Sequence, residues 1–226
     1  MKRWLALTAF VAILGLAGPN RAQEKNGKVE PVKDDPKLPR VLLIGDSISI
    51  GYMGPTQKLL AGKANVHHNP GNAGPSNNGT KNIKEWLGTG KWDVIHFNFG
   101  LHDIAIFGQK DIALAQGKQQ VPIDKYEKNL RDLVKTLKGT GARLIWASTT
   151  PVPAPGKASK NEDAIAYNAI AKKIMDEHGI TINDLYAFAL PQLEKLQQPG
   201  NVHFNAKGSD ALAERVATAI EAALKK

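Results

Sequence analysis

An apolar run from Val41 to Ile44 stops abruptly at Gly45, Asp46 and Ser47. A serine at such a boundary has two uses. Its hydroxyl can cap the helix that follows, or it can be presented as a nucleophile. The second use needs a base to take its proton, and donors for the charge that forms on an attacked carbonyl oxygen. The chain has six histidines and no cysteine, so a cysteine nucleophile, thiolate metal sites and disulfides are excluded. His67 and His68 are neighbours on an extended run, point to opposite faces, and make a poor metal pair. His96 alternates with Val94 and Asn98 and reads as a satisfied core residue, while Asn98 reads as a core hydrogen-bonder. His178 ends a helical pattern, where a cation suits the dipole. His102 and His203 remain. Both lie in loops rich in glycine or asparagine, just outside regular elements, where catalytic groups are often carried.

These groups need a frame to hold them, and the patterning supplies one. "RVLLIGD" reads as a strand buried on both faces. "GPTQKLLAG" reads as a short helix with Pro55 near its first turn. "ANVHHN" is a second strand, "NNGTKNIKEWLG" a helix closed by Gly88, and "WDVIHFNFG" a third strand. "IDKYEKNLRDLVKTLKGTG" is a strong helix, with Tyr126, Leu130, Leu133, Val134 and Leu137 on one face and Asp124 and Glu127 in a capping-box pattern. "ARLIWAST" is a fourth strand, "NEDAIAYNAIAKKIMDEHG" a helix with Gly179 past its end, and "ITINDLYAF" begins a fifth strand. "NAKGSDALAERVATAIEAALKK" is a final helix striped by Leu212, Val216, Ile220 and Leu224. Such alternation implies an α/β fold, a parallel sheet with helices on both faces, and ligands bound beyond the carboxyl ends of the strands. Ser47, the stretch from Asn69 to Ser76, Gly100 to Asp103, and Thr149 to Pro151 follow the first four strands. They should converge on one edge, and the loop of His203 can reach the first strand's end.

The 226 residues suffice for one domain with a full core. Lys2 and Arg3 precede an apolar stretch from Trp4 to Ala17, which is expected to be a signal peptide over residues 1–22; the alternative is a membrane anchor. Its length is short for a spanning helix. Residues 23–39 hold three prolines and mixed charge and read as a linker, leaving 40–226 as the domain. The formal charge is +9, and the first 22 residues hold three basic and no acidic groups, so +6 remains for the rest. The basic residues are dispersed, which reads as solvated surface and not as a nucleic-acid stripe.

"IGDSIS" at 44–49, "NPGNAGPS" at 69–76, "GLHD" at 100–103 and "NVHFNAKG" at 201–208 resemble, in that order, four sequence blocks of the GDSL, or SGNH, hydrolases. The resemblance spans essentially residues 40–226. It implies a three-layer α/β/α, flavodoxin-like fold with a five-stranded parallel sheet. It also implies ester or thioester hydrolysis through an acyl-serine, with no metal or organic cofactor. Carried over, Ser47 is the nucleophile and His203 the general base. The backbone N–H groups of Ser47 and Gly74 form the oxyanion hole, and Gly74 is glycine because the main chain must approach the substrate.

Two positions depart from the family pattern. The third block's asparagine, an oxyanion donor, is here His102. An imidazole N–H can take that role, or His102 is structural and the hole has two donors. The acid three residues before the histidine is absent, since Gly200 stands there; Asn201 or a backbone carbonyl would then orient the ring. The resemblance and the N-terminal pattern together imply an exported serine esterase acting on O-acyl groups, with acetyl the expected group, on carbohydrate. The rivals are a lipase, a thioesterase, or an inactive glycan-binding module. The stretch 104–121 is the longest insertion at the active edge and is expected to shape the pocket.

Overall fold

The computed structural model describes residues 34–106, 118–154 and 159–225. The expected signal peptide, most of the linker, and the part of the 104–121 insertion from 107 to 117 lie outside the described residues.

Five strands, β1 (Arg40–Ile44), β2 (Asn65–His68), β3 (Val94–Phe97), β4 (Arg143–Ala147) and β5 (Thr181–Asn183), form one sheet. Their order is β2-β1-β3-β4-β5 and every pairing is parallel. Two-residue periodicity splits the apolar strands between two cores. Leu42 and Ile44 of β1 face a core shared with α2 (Ser76–Leu87), α3 (Ile123–Lys138) and α4 (Asn161–His178). Val41 and Leu43 face the other, shared with α1 (Ser47–Leu59), α5 (Leu185–Ala189), α6 (Leu193–Leu196) and α7 (Ala206–Leu224). This is a three-layer α/β/α fold. Because both faces of β1 are covered, the strand carries no polar alternation.

The strand order reverses at β1: the chain moves to one side for β2 and to the other for β3. Open parallel sheets form their binding crevice at such a switch point, and Ser47 is the residue that emerges there.

Two helix starts differ from the sequence expectation. The first helix begins at Ser47 itself and continues through Pro55, which is internal. Asp46 is its N-cap and accepts the Ile48 N–H at 2.9 Å. The β-branched residues of "SISI" favour strand locally. Packing decides otherwise, since Tyr52 and Leu60 are buried against the α7 core. The capping box at Asp124 does not form. Helix α3 starts two residues earlier than that box implies, Pro122 is its N-cap with no side-chain bond, and Asp124 sits within the first turn.

Residues 34–39, read as the end of the linker, are tied to the domain. Asn65 accepts the Asp35 N–H at 2.9 Å and donates to the Asp35 and Leu38 carbonyls at 2.8 and 3.1 Å. His67 meets Asp34 at 2.7 Å, on the opposite face from His68.

Candidate active site

Ser47 occupies the first helical position of α1 because Asp46 has taken the cap. Its hydroxyl is therefore released from capping, and its N–H is one of the helix-start donors that have no intrahelical acceptor. Ser47 Oγ lies 2.9 Å from His203 Nε2. His203 stands on the loop between α6 and α7, and that loop is well fastened. Gln197 and Phe204 form a bridge, Gln198 N–H donates to the His203 carbonyl at 2.9 Å, and Asn205 caps α7 through the Gly208 N–H at 2.9 Å.

The other ring nitrogen, Nδ1, lies 2.8 Å from Asn201 Oδ1. An amide oxygen only accepts, so Nδ1 must carry the proton and Nε2 presents its lone pair to the Ser47 hydroxyl. The tautomer follows from this pairing. Asn201 Oδ1 also accepts the His203 backbone N–H at 3.1 Å, which fixes the side chain relative to the ring. Gly200 has a φ of +62°. A side chain in that left-handed conformation is strained, so the position where the family carries its acid suits glycine here. The group that meets the ring is one residue further along the chain and is uncharged.

On the other flank, Gly74 has a φ of +64° and donates its N–H to Asn72 Oδ1 at 2.8 Å. The Asn72 carbonyl oxygen thus stands where an oxyanion at this amide would stand, and a substrate must displace it. Nothing in the spacing of the motif announces this contact, which is a two-residue side-chain turn.

His102 follows β3 on the same edge and is half-buried. Its charge acts on Asp46: burial pushes the Asp46 carboxyl up, while His102, the Ile48 N–H and His203 pull it back down. Asp46 is thus a buried carboxyl group next to Ser47. Motif spacing does not single it out, although an Asx residue before a helix is a recognisable cap signal. Asn98 donates to the Ala147 carbonyl at 2.8 Å, joining β3 to β4.

Two further contacts support the edge. Asp103 accepts the Ser76 N–H at 2.9 Å and the Ser76 hydroxyl at 2.5 Å, locking the Gly74 loop to the His102 loop. Ser49 Oγ lies 2.6 Å from His68 Nε2, and His68 Nδ1 lies 2.7 Å from the Asn69 carbonyl. This second serine–histidine pair is buried, with 2% and 7% of the two residues exposed, and so ties α1 to the end of β2. His96 is only half satisfied. Asn183 meets its Nε2 at 3.2 Å, and its buried Nδ1 has no partner among the described residues.

Buried groups give the fold two opposed pH dependences. Burial pushes Asp103 up to about 7, against the pull of its Ser76 hydrogen bonds, and pushes His96 down to about 4. Between about pH 4 and 6.5 the folded Asp103 keeps a proton that the unfolded chain has lost, so this group removes stability as pH rises. His96 is neutral when folded and protonated when unfolded over the same window, so it adds stability as pH rises. Each amounts to roughly 3 kcal/mol across the window. Urea unfolding of the parent is therefore expected to vary little from pH 4 to 6.5. In Asp103→Asn the opposing contribution of that carboxyl is gone, and stability should climb more steeply with pH over that range than in the parent. A variant whose profile matches that of the parent would mean that Asp103 holds no extra proton in this range.

Among the described residues no group of three or more histidine, aspartate or glutamate side chains could hold a metal ion. What the arrangement can do is transfer a proton from a serine hydroxyl to a histidine whose tautomer is set from behind.

Comparison with known proteins gives a consistent picture. The sequence profile of the GDSL-like lipase/acylhydrolase family matches residues 43–211. No curated protein matches the chain significantly. Among solved structures, the lipase/acylhydrolase from Enterococcus faecalis superposes with a TM-score of 0.68 at 16% identity, covering 81% of this chain and 96% of that one. An acetyl xylan esterase superposes at 0.65 with 17% identity, covering 80% and 99%. An acetylxylan esterase from Geobacillus stearothermophilus does so at 0.64 with 20% identity, covering 80% and 94%.

Proposed function

Because the chain belongs to the GDSL-like lipase/acylhydrolase family and is an ester hydrolase, we propose that it works through an acyl-serine on Ser47 and removes O-acetyl groups from carbohydrate outside the cytoplasm. The observation that carries the mechanism is the 2.9 Å contact between Ser47 Oγ and His203 Nε2, with Asn201 holding the far nitrogen. Ser47 Oγ bonds to the ester carbonyl carbon as its proton passes to Nε2. The carbonyl oxygen, now negative, displaces Asn72 and takes the N–H groups of Gly74 and Ser47, with His102 as a third donor. The tetrahedral centre collapses, the bond to the alcohol oxygen breaks, and His203 returns its proton to that oxygen. Water repeats the cycle on the acyl-serine and releases the acid.

The acetyl and carbohydrate parts draw on the similarity to acetylxylan esterases. Export draws on Lys2, Arg3 and the apolar stretch behind them. Among the described residues no helix is long and apolar enough to cross a membrane. The test is acetate release from a panel of acetylated polysaccharides, with Ser47→Ala as the control. Release that persists in the control would refute the mechanism. Absence of release, with simple esters still cleaved, would refute the substrate.

Asn201 provides a second test. A carboxylate in its place would stabilise the imidazolium that forms on His203 better than an amide oxygen does. Asn201→Asp keeps the geometry and is expected to raise turnover about tenfold, equivalent to about 1.4 kcal/mol in the transition state. A folded variant no faster than the parent would show that Asn201 does not govern the charge on the ring.

A further inference from the structure

The proton that His203 takes from Ser47 must later reach the oxygen of the departing alcohol. That oxygen therefore comes within hydrogen-bond reach of Nε2, and the rest of the alcohol must extend along the His203 flank. A cleft of about 400 Å³ opens there, walled by Ser47 and Gly51 of α1, by Gln198, Asn201 and His203, and by Ser209 of α7, with Ile48 and Phe204 as its apolar lining. Neither Gly74 nor His102 lines it. Binding clefts for small ligands run from about 300 to 1,000 Å³, so this one accommodates a sugar ring.

Its walls carry polar groups with capacity to spare. The Ser209 hydroxyl makes no hydrogen bond to any described residue. The exposed Gln198 side chain reaches the Phe204 carbonyl only at 3.5 Å and the Asn201 amide only at 3.4 Å, both long contacts. Gly51 leaves a gap in the helix surface, and a Cβ there would meet Ser209 Oγ at 3.3 Å. An alkyl chain seated in this cleft could contact Ile48 and Phe204 but would leave these polar groups without water or a partner, at a cost of about 1–3 kcal/mol for each group buried unpaired.

We propose that this cleft is the alcohol subsite and that it takes a polyhydroxylated alcohol: Gln198 and Ser209 bond its hydroxyls, and the gap at Gly51 admits its ring. The proposal rests on Ser47 being the nucleophile and His203 the base, and it assigns to particular residues the carbohydrate preference proposed above.

The test is a ratio: kcat/KM for an O-acetylated methyl glycoside over kcat/KM for p-nitrophenyl acetate. The nitrophenol has no hydroxyls to bond and leaves without needing a proton. Gly51→Leu fills the gap on an exposed stretch of helix, where leucine is a better helix former than glycine by up to about 1 kcal/mol, so the variant should fold. The ratio is expected to fall at least about tenfold in Gly51→Leu and by roughly fivefold in Ser209→Ala or Gln198→Ala. The preference for p-nitrophenyl acetate over p-nitrophenyl butyrate should not follow. If that acyl preference moves instead, the cleft holds the acyl chain and the proposal is overturned. It is also overturned if the ratio stays constant in all three variants. A parent enzyme that cleaves p-nitrophenyl acetate in a Ser47-dependent way but leaves every glycoside intact overturns the subsite and keeps the nucleophile. Cleavage that survives Ser47→Ala overturns the nucleophile itself.

Discussion

Ser47→Ala, His203→Ala and the double variant are expected to fall to one shared floor, roughly 10⁴- to 10⁶-fold below the parent in turnover. The two side chains act as a unit, because the hydroxyl is a poor nucleophile until the imidazole removes its proton, and the imidazole has nothing to activate once the hydroxyl is gone. Their 2.9 Å contact is the physical basis of the expectation. The losses should therefore not add, and single-turnover rates with an activated ester would measure this directly. Stability should change little, since His203 is exposed and Ser47 is not the N-cap of α1. If His203→Ala kept most of the activity, the base would have to be another group on the same edge, with His102 the first to examine.

The second large effect concerns His102. If it donates to the oxyanion in the position where the family has an asparagine, His102→Ala should lower kcat by roughly 10²- to 10³-fold. KM should move much less, because the negative oxygen exists only in the transition state. His102→Asn should recover much of the rate, since an amide N–H can reach the same oxygen. That rescue separates donation from packing. A His102→Ala enzyme with native kcat would leave the hole to the Ser47 and Gly74 amides, and His102 would then matter only for the field around Asp46.

How far the residues alone reach can be judged element by element. The alternation of apolar runs and amphipathic stretches was enough to predict five strands in a parallel sheet. It was also enough to place Ser47, Gly74, His102 and the loop of His203 at one edge, because in this fold class every strand-to-helix turn faces the same way. Periodicity is local and survives translation into structure. The start of α1 was not legible, because "SISI" is locally ambiguous and only the burial of Tyr52 and Leu60 against α7 makes it helical. That packing moved the cap to Asp46 and released the Ser47 hydroxyl, so whether Ser47 caps the helix was decided by tertiary contacts.

The orientation of His203 divides in the same way. The sequence showed that no carboxylate stands three residues before it, and left Asn201 and the backbone as alternatives. The folded loop selects Asn201, because a left-handed Gly200 turns the chain so that one amide oxygen meets both the ring and the His203 N–H. Asn72 over the Gly74 amide, Asp103 clamped on Ser76 and the cleft beside Gly51 were all invisible beforehand. Each joins side chains whose distance depends on loop backbone angles, and no periodic pattern encodes those. The residue types and their order along the chain determined the fold and the candidate reaction, because apolar periodicity and strand direction are properties of the chain itself. Which nitrogen carries the proton, which amide is already occupied and where an alcohol can lie were decided only by the tertiary structure, because hydrogen-bond geometry exists only between atoms that folding has brought together.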